Sequence, residues 1–515
     1  MPRINLEALD RRFKWWLLIL SLLTLGFLGA AALRENVFAQ WRMVRLDYGK
    51  RLEAKATDER GRALARQYEV RIVQNVLPEL GTVDRCVTCH AGADDPRMAK
   101  EPQPFRTHPG QYLVDHPPEK FGCTICHRGQ GRALEFEEAK AVGHHWDYPL
   151  LPTPLTQSAC GLCHTAEEVA DKGGEKYALG KRLFDAKGCQ ACHKLDGRGG
   201  SVGAALDVEG LKVRGQIMMT HLTGDKTLPN WLTQHFDDPQ KIVPGSLMRP
   251  PQLSREENEA LTIYMLSLQN RDLPKSYLSP AKHLEYFKKA RPDAMTGEQL
   301  FNRYCSTCHD TGQYGRYDPF FHKFIPAVRG ATFVQTASKT YVEENIRRGR
   351  PGTLMAGWGP DVGGLTNEEV SNLASFLLGA PLSREDALTS AAIEQARGPL
   401  PPSLRGNASR GRAIFSRNCA ACHGPGGVGL LAPALANPVL QQTASDGFLF
   451  ATIAYGHRNT AMPAFLGPGG GGFNEHDIAD VVAYLRTLGG RTNPSAAHKA
   501  LSTAEVTATQ KETSQ

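Results

Sequence analysis

A short pattern of cysteine and histidine occurs six times in this chain and constrains its fold more than any other feature. All 12 cysteines of the 515 residues fall in a Cys-x-x-Cys-His motif. The copies are CVTCH at 86–90, CTICH at 123–127, CGLCH at 160–164, CQACH at 189–193, CSTCH at 305–309 and CAACH at 419–423. Two thiols and an imidazole at this spacing are typical of covalent haem attachment.

The motifs therefore predict six covalently bound haem c groups, each with an iron ligated by the histidine of its motif. Disulfides need no histidine at a fixed offset, and structural zinc sites need four ligands. A redox Cys-x-x-Cys would sit in a βαβ setting and would not occur six times. The attachment residues are Cys86, Cys89, Cys123, Cys126, Cys160, Cys163, Cys189, Cys192, Cys305, Cys308, Cys419 and Cys422. The proximal ligands are His90, His127, His164, His193, His309 and His423.

An uncharged stretch near the N-terminus predicts a membrane anchor. Residues 15–33 form a helix of roughly 28 Å at about 1.5 Å per residue, close to the thickness of a bilayer core. A cleaved signal peptide is the alternative, with VFA before Gln40 as its site, but the apolar run exceeds the usual length of roughly 7–15 residues. We expect residues 1–14 in the cytoplasm, a single span in the inner membrane, and the rest on the periplasmic side, where haem of this kind is attached.

The motifs divide the rest of the chain, whose predicted fold class is mainly α, into two parts. The first three are 37 residues apart, at 86, 123 and 160, in a segment rich in Pro, Gly and His. We predict an irregular triheme module at 81–172. Each of the last three motifs follows a glycine and a phenylalanine and precedes an apolar helix, which is an internal repeat. The predicted single-haem domains are 174–272, 294–382 and 408–490, followed by a disordered tail at 491–515.

Residues 34–80 are predicted to be a helical connector, broken near Gly61. Two sets of apolar side chains recur at helical spacing. We expect the connector to pack on the triheme module, and docking onto a membrane partner is the alternative. The two sets are Trp41, Val44, Tyr48 and Leu52, and Leu64, Tyr68, Ile72 and Val76.

The second axial ligand of each iron is the main functional clue, because His/Met ligation raises the reduction potential relative to His/His. In the last three domains Met248, Met355 and Met462 lie in Gly- or Pro-flanked loops before the final helix. We predict that they are the distal ligands. The competing histidines are His221, His235, His322 and His457, which we interpret as surface or loop residues.

The triheme segment offers histidines instead. Its one methionine between the first and third motifs, Met98, lies in a charged turn. His108 and His116 each precede a proline, which favours extended backbone. These two and one of His144 and His145, with His145 favoured, are the predicted distal ligands. The spacing leaves open which histidine serves which iron.

Two resemblances accompany these motifs. The stretch CVTCHAGADDPRM…PQPFRTHPG…DHPPEKFGCTICHRGQG…HHWDYPLLP…CGLCH resembles a triheme module of bacterial membrane-anchored multihaem cytochromes c, several of which are subunits or partners of quinol-oxidising cytochrome b/Rieske complexes. The last three units resemble class I cytochrome c domains. The first of them has SVGAALD where many members have Gly-Pro, which puts the orienting bond of its proximal histidine in doubt. The last unit keeps Pro433.

These observations predict an electron conduit rather than a catalyst. Its donor would be a cytochrome b/Rieske-type or other quinol oxidoreductase, and its acceptor a soluble cytochrome or terminal oxidase. A haem enzyme with one open iron, such as a peroxidase or small-oxyanion reductase, is the first alternative, and a structural scaffold is the second. The net charge of +7 comes without a stripe of basic and aromatic residues, so we expect no nucleic-acid partner.

Overall fold

The protein is mainly helical, as predicted. A computed structural model describes residues 6–143, 146–290, 294–458 and 460–489. The chain forms two compact units: the first comprises 1–164, 213–217 and 271–279, and the second comprises 165–212, 218–270 and 280–515. The predicted tail at 491–515 lies outside the described residues.

The first unit consists of one long helix followed by short helices and turns. In the described residues one helix is long and apolar enough to cross a membrane, with a window of mean hydropathy 2.2, which is consistent with an anchored protein. The helices are Leu6–Asn36, Gln40–Lys55, Glu59–Arg66, Cys86–Cys89, Tyr112–Asp115, Pro118–Phe121, Thr124–His127, Phe136–Lys140 and Cys160–Cys163. The 3-10 turns are Pro78–Leu80, Pro96–Met98, Leu155–Ala159, Arg214–Gln216 and Lys275–Tyr277. Strands Asn75–Leu77 and Thr82–Asp84 form an antiparallel hairpin.

The connector at 34–80 is mostly helical up to Arg66, and its helices do not continue through Tyr68, Ile72 and Val76, where the apolar spacing predicted them. The break precedes Gly61, because the Asp58 side chain caps the helix Glu59–Arg66 by accepting from the Gly61 N–H at 2.6 Å. Beyond that helix the backbone forms hydrogen bonds with more distant residues instead of helical ones. The N–H of Val73, for example, donates to Thr88 Oγ1 at 3.0 Å. Tertiary hydrogen bonds therefore outweigh the helical spacing of the apolar residues.

The connector packs on its own module, which was the favoured expectation. Tyr48 forms a buried cluster with Met98 and Phe105, and Val44 and Leu52 lie against it. The Tyr48 hydroxyl donates to Asp95 at 3.2 Å. Met98 is thus a core side chain of the first unit.

The second unit is built from longer helices. They are Ala166–Val169, Glu175–Ala186, Leu228–Asp237, Pro239–Ile242, Arg255–Ser267, Pro280–Ala290, Gly297–Leu300, the π-helix Phe301–Cys305, Ser306–His309, Ala331–Thr336, Lys339–Arg348, Asn367–Leu378, Ser390–Ala396, Ala408–Asn418, Ala420–His423, Pro438–Thr443, Asp446–Tyr455 and Glu475–Arg486. The 3-10 turns are Cys189–Ala191, Glu209–Leu211, Arg384–Asp386, Pro402–Leu404 and Pro425–Gly427. Two antiparallel hairpins pair Lys194–Leu195 with Arg198–Gly199, and Arg316–Asp318 with Lys323–Ile325.

One helix crossing occurs three times in this unit. Each time a glycine on the first helix meets a backbone carbonyl of the last helix, and an added Cβ would overlap that oxygen. Four residues beyond the glycine a phenylalanine packs on an aromatic ring of the last helix. The glycines and carbonyls are Gly180 with Ala260, Gly297 with Asn372 and Gly411 with Asp480. The ring pairs are Phe184–Tyr264 at 5.2 Å, Phe301–Phe376 at 5.7 Å and Phe415–Tyr484 at 5.3 Å between centroids.

The second and third repeats share one hydrophobic core. Buried side chains from Leu300 to Leu377 and from Leu404 to Leu488 form a single cluster. Tyr341 of the second repeat and Phe448 of the third belong to this cluster, and their ring centroids are 4.8 Å apart. These two repeats are therefore packed together, although a proline-rich segment connects them.

We expect Gly411→Ala to lower the thermal unfolding midpoint. Alanine usually stabilises a helix interior by roughly 0.5–1 kcal/mol relative to glycine. Here the added Cβ meets backbone, and overpacking of this kind costs about 1–3 kcal/mol. Calorimetry of the haem-loaded protein measures the change. Gly469→Ala is the matched control, because nothing lies within 4 Å of its added Cβ, and an unchanged midpoint for both variants would contradict the close crossing.

Candidate haem-binding sites

The three proximal histidines of the second unit are oriented in the same way. The Nδ1–H of each donates to a backbone carbonyl: His193 to Ala204 at 2.8 Å, His309 to Pro326 at 3.2 Å and His423 to Pro433 at 2.8 Å. This tautomer leaves Nε2 free to bind a metal. The orienting bond that the SVGAALD stretch put in doubt is present, because the carbonyl of Ala204 replaces that of a proline.

The surroundings of five of the six proximal imidazoles favour the neutral form. Burial lowers the pKa of His90, His127, His193, His309 and His423. Neutral imidazole is the form that binds a metal. At His90, the hydrogen bonds that the ring makes to the Pro104 carbonyl and to the Gln103 side chain act against this lowering.

The cysteines fit thioether attachment better than a thiolate metal site. All 12 are in the described residues, and none forms a disulfide. Burial raises the pKa of the Cys126, Cys189 and Cys305 thiols to about 12. A zinc site requires thiolates, which these surroundings disfavour, whereas a thioether sulfur carries no charge.

A hydroxyl orients each of the three methionine loops. The residue two positions before the methionine accepts a hydrogen bond from the methionine N–H at 3.1 Å in every repeat. Sequence reasoning missed these residues, although the pattern Ser/Thr-x-Met is visible as GSLM, GTLM and NTAM. All three methionines are half-buried. The pairs are Ser246 with Met248, Thr353 with Met355 and Thr460 with Met462.

Two of the four competing histidines are not surface residues. His221 and His322 are exposed, as predicted. His235 stacks on Trp231 with ring centroids 4.4 Å apart, and its Nδ1 is buried without a hydrogen-bond partner among the described residues. Burial, followed by the nearby His193, lowers the pKa of His235 to about 4. A buried polar atom without a protein partner fits a site that a bound group would complete.

His457 belongs to the third methionine loop. Its backbone N–H donates to the Met462 carbonyl at 2.9 Å. Burial, followed by the nearby His423, lowers its pKa to about 4. His457 therefore remains a competitor of Met462 for the distal position.

In the first unit two predicted distal histidines face proximal ones. The ring centroids of His108 and His127 are 6.1 Å apart with planes at 80°, and those of His116 and His164 are 6.0 Å apart at 86°. Imidazole nitrogen lies about 2 Å from a bound metal, so two rings that share one metal have centroids roughly 6 Å apart. The Nδ1 atoms of His108 and His116 lie 2.9 and 3.2 Å from the Pro109 and Tyr112 carbonyls. His144 and His145 lie outside the described residues.

Neighbouring attachment turns contact each other within the second unit. Thr307 Oγ1 donates to the Gly188 carbonyl at 3.4 Å, and Arg303 Nε donates to Gln190 Oε1 at 2.8 Å. Arg249 binds the buried Asp318 carboxylate at 2.5 and 2.6 Å. The turns at 189–193 and 305–309 are therefore adjacent.

A different contact connects the last two repeats. In the Met355 loop, Arg350 donates from its backbone N–H to the Met355 carbonyl at 2.8 Å and from its side chain to the Ala434 carbonyl at 3.0 Å. Ala434 follows Pro433, whose carbonyl orients His423. The distal loop of one site thus contacts the proximal loop of the next.

Comparison with known proteins matches these repeats to two family models. Residues 292–377 and 406–485 match the family described as cytochrome c oxidase, cbb3-type, subunit III. Residues 177–269 match the cytochrome c family. A cytochrome c-553-like protein of Synechocystis sp. is 36% identical over 85 residues, which are 16% of this chain and 72% of that protein. Cytochrome c6 of Chlorolobion braunii is 37% identical over 78 residues, 15% of this chain and 83% of that protein.

The fold, the attachment motifs and these matches define a multihaem cytochrome c with covalently bound haem c. The chain belongs to the cytochrome c family. A longer relative is the cbb3-type cytochrome c oxidase subunit CcoP of Azospirillum sp., 26% identical over 212 residues, 38% of this chain. The chain spans 62% of the length of that relative.

Replacing Thr460 by valine should weaken methionine binding at the last haem. Valine keeps the shape of threonine but leaves the Met462 N–H without its hydroxyl partner, so the loop becomes less well ordered. The weak red absorption band of a methionine-ligated ferric haem should lose intensity. Thr443→Val is the control, because it removes only a bond within the helix Pro438–Thr443. An unchanged band in Thr460→Val would contradict the role of the hydroxyl.

Proposed function

We propose that this protein is a membrane-anchored cytochrome c with six haems that relays electrons from a quinol-oxidising membrane partner to a soluble cytochrome or a terminal oxidase. Haem iron supplies reversible one-electron oxidation and reduction when it is bound. The observation that carries the proposal is the two pairs of facing histidine rings in the first unit. Together with the methionine loops of the second unit, these pairs support two kinds of axial ligation in one chain.

In this proposal the first unit uses histidine on both sides of each iron. His108 serves the 123–127 site and His116 serves the 160–164 site, since their rings stand about 6 Å from His127 and His164. For the 86–90 site the second ligand is His145 or His144.

The second unit uses Met248, Met355 and Met462. Methionine raises the reduction potential relative to histidine. Electrons would therefore move downhill from the first unit to the second. The contacts between neighbouring turns and loops in the second unit support transfer along its three sites.

The partners are proposed from two kinds of similarity. A quinol-oxidising cytochrome b/Rieske donor rests on the resemblance of the triheme segment. A terminal oxidase as acceptor is supported by the match of residues 292–377 and 406–485 to the cbb3-type oxidase subunit family. The helix Leu6–Asn36 would anchor the chain in the inner membrane, with the haem sites on the periplasmic side.

His108→Ala should convert one ferric haem from low spin to high spin, because the iron loses a strong imidazole ligand. EPR spectroscopy of the oxidised full-length protein measures the change, and the other five haems should stay low-spin. His221→Ala is the control, since His221 is exposed. If the unaltered protein already shows a large high-spin signal that shifts with peroxide or nitrite, a haem enzyme is the better description.

A potentiometric titration should resolve six one-electron steps, three at lower and three at higher potential. The lower group belongs to the His/His sites and the higher group to the His/Met sites. Fewer than six steps would contradict the haem count, and six values in one band would contradict the two ligand chemistries.

Co-purification from membranes, with the unanchored chain lacking residues 1–36 as the control, identifies the donor.

A further inference from the structure

One carboxylate in the first unit contacts two haem-attachment turns. Asp84 is fully buried. Its Oδ1 accepts a hydrogen bond from the Cys86 N–H at 2.9 Å. Its Oδ2 accepts from the N–H groups of Cys123 at 2.7 Å and Thr124 at 2.9 Å. The second turn lies about 40 residues further along the chain, so the fold rather than local sequence creates this contact.

The same contact brings together one cysteine from each turn. The sulfur atoms of Cys86 and Cys123 and a carboxylate oxygen of Asp84 lie within 4.8 Å of one another. A metal ion is one candidate for such a group. Both sulfurs, however, belong to attachment motifs, and a thioether lacks the charge of the thiolate that metal sites use. The carboxylate therefore lies where two haem groups would be bonded to the chain.

The charge of Asp84 is retained in this environment. Burial by itself raises the pKa of the carboxyl, but the backbone N–H donors outweigh burial and hold the pKa below its ordinary value. In the described part of the chain no lysine or arginine forms a salt bridge with it. Burial lowers the pKa of His90 and His127, and the negative charge of Asp84 acts in the opposite direction on both.

We propose that Asp84 is a positioning residue shared by the haem sites at 86–90 and 123–127. It holds the two attachment turns side by side and lowers both reduction potentials together. An oxidised haem site carries one more positive charge than a reduced one, so a buried anion beside it stabilises the oxidised form. This inference rests on the proposed function, because it concerns the low-potential end of the relay.

Asp84→Asn tests the proposal in the full-length protein. Asparagine keeps the size of the side chain and one acceptor oxygen but removes the charge. Two of the six potentials should rise, each by at least about 59 mV, which is a tenfold change in a one-electron equilibrium. The other four should not move. Asp94→Asn is the control: Asp94 is an exposed carboxylate of the same module, where water screens its charge.

Each outcome of the Asp84→Asn experiment either supports or overturns the shared role of Asp84. Six bound haems with unchanged potentials, or a rise at one site alone, would overturn the proposal. If the variant binds fewer haems, mass spectrometry of the haem peptides locates the loss. Joint loss at 86–90 and 123–127 with the other four retained supports a shared role, and any other pattern contradicts it.

The outcome is separate from that of the proposed function. The comparison is between variant and parent, so it reports on Asp84 even if the electron donor differs from the one proposed. A negative result for Asp84 likewise leaves the pairing of His108 with His127 and of His116 with His164 unaffected, because that pairing is tested by spin state.

Discussion

The close crossing of two helices over a glycine is the contact on which the second unit depends. At Gly411 the first helix of a repeat touches backbone of the last helix, and Phe415 then packs on Tyr484. The attachment turn begins directly after this first helix, at Cys419. The crossing therefore determines where the proximal imidazole lies, and one carbonyl bond to His423 sets its orientation. The same sequence of contacts recurs in all three repeats.

The first unit also has to position its attachment turns, and in its described residues it does so with few apolar contacts. Its attachment turns are fixed by buried polar side chains, and Thr88 is an example. Its hydroxyl donates to the Val73 carbonyl at 2.6 Å and accepts from the Val73 N–H at 3.0 Å. Such bonds are directional and contribute about 1 kcal/mol each. A module held in this way depends on the groups bonded to its cysteines for much of its interior.

Local patterns in the sequence predicted the parts of the protein that short segments determine. The six motifs, the glycine and phenylalanine before the last three, and the mainly α fold all belong to this class. The Ser/Thr-x-Met pattern was equally local and was missed. The end of the connector helices at Arg66 could not be predicted from apolar spacing, because Val73 bonds to Thr88, a partner 15 residues away. The sequence could not predict that the Ala204 carbonyl orients His193. Every residue has a backbone carbonyl, and only the fold brings that of Ala204 to the imidazole.

The neighbouring sulfurs of Cys86 and Cys123 also bear on how the protein matures. Two thiols within 4.8 Å of each other are the reactants of a disulfide when the compartment is oxidising. A chain that folded before receiving haem would bring these thiols together unprotected, and one cross-link would block two sites at once. In an oxidising compartment, haem attachment at both motifs before the first unit closes would avoid this cross-link.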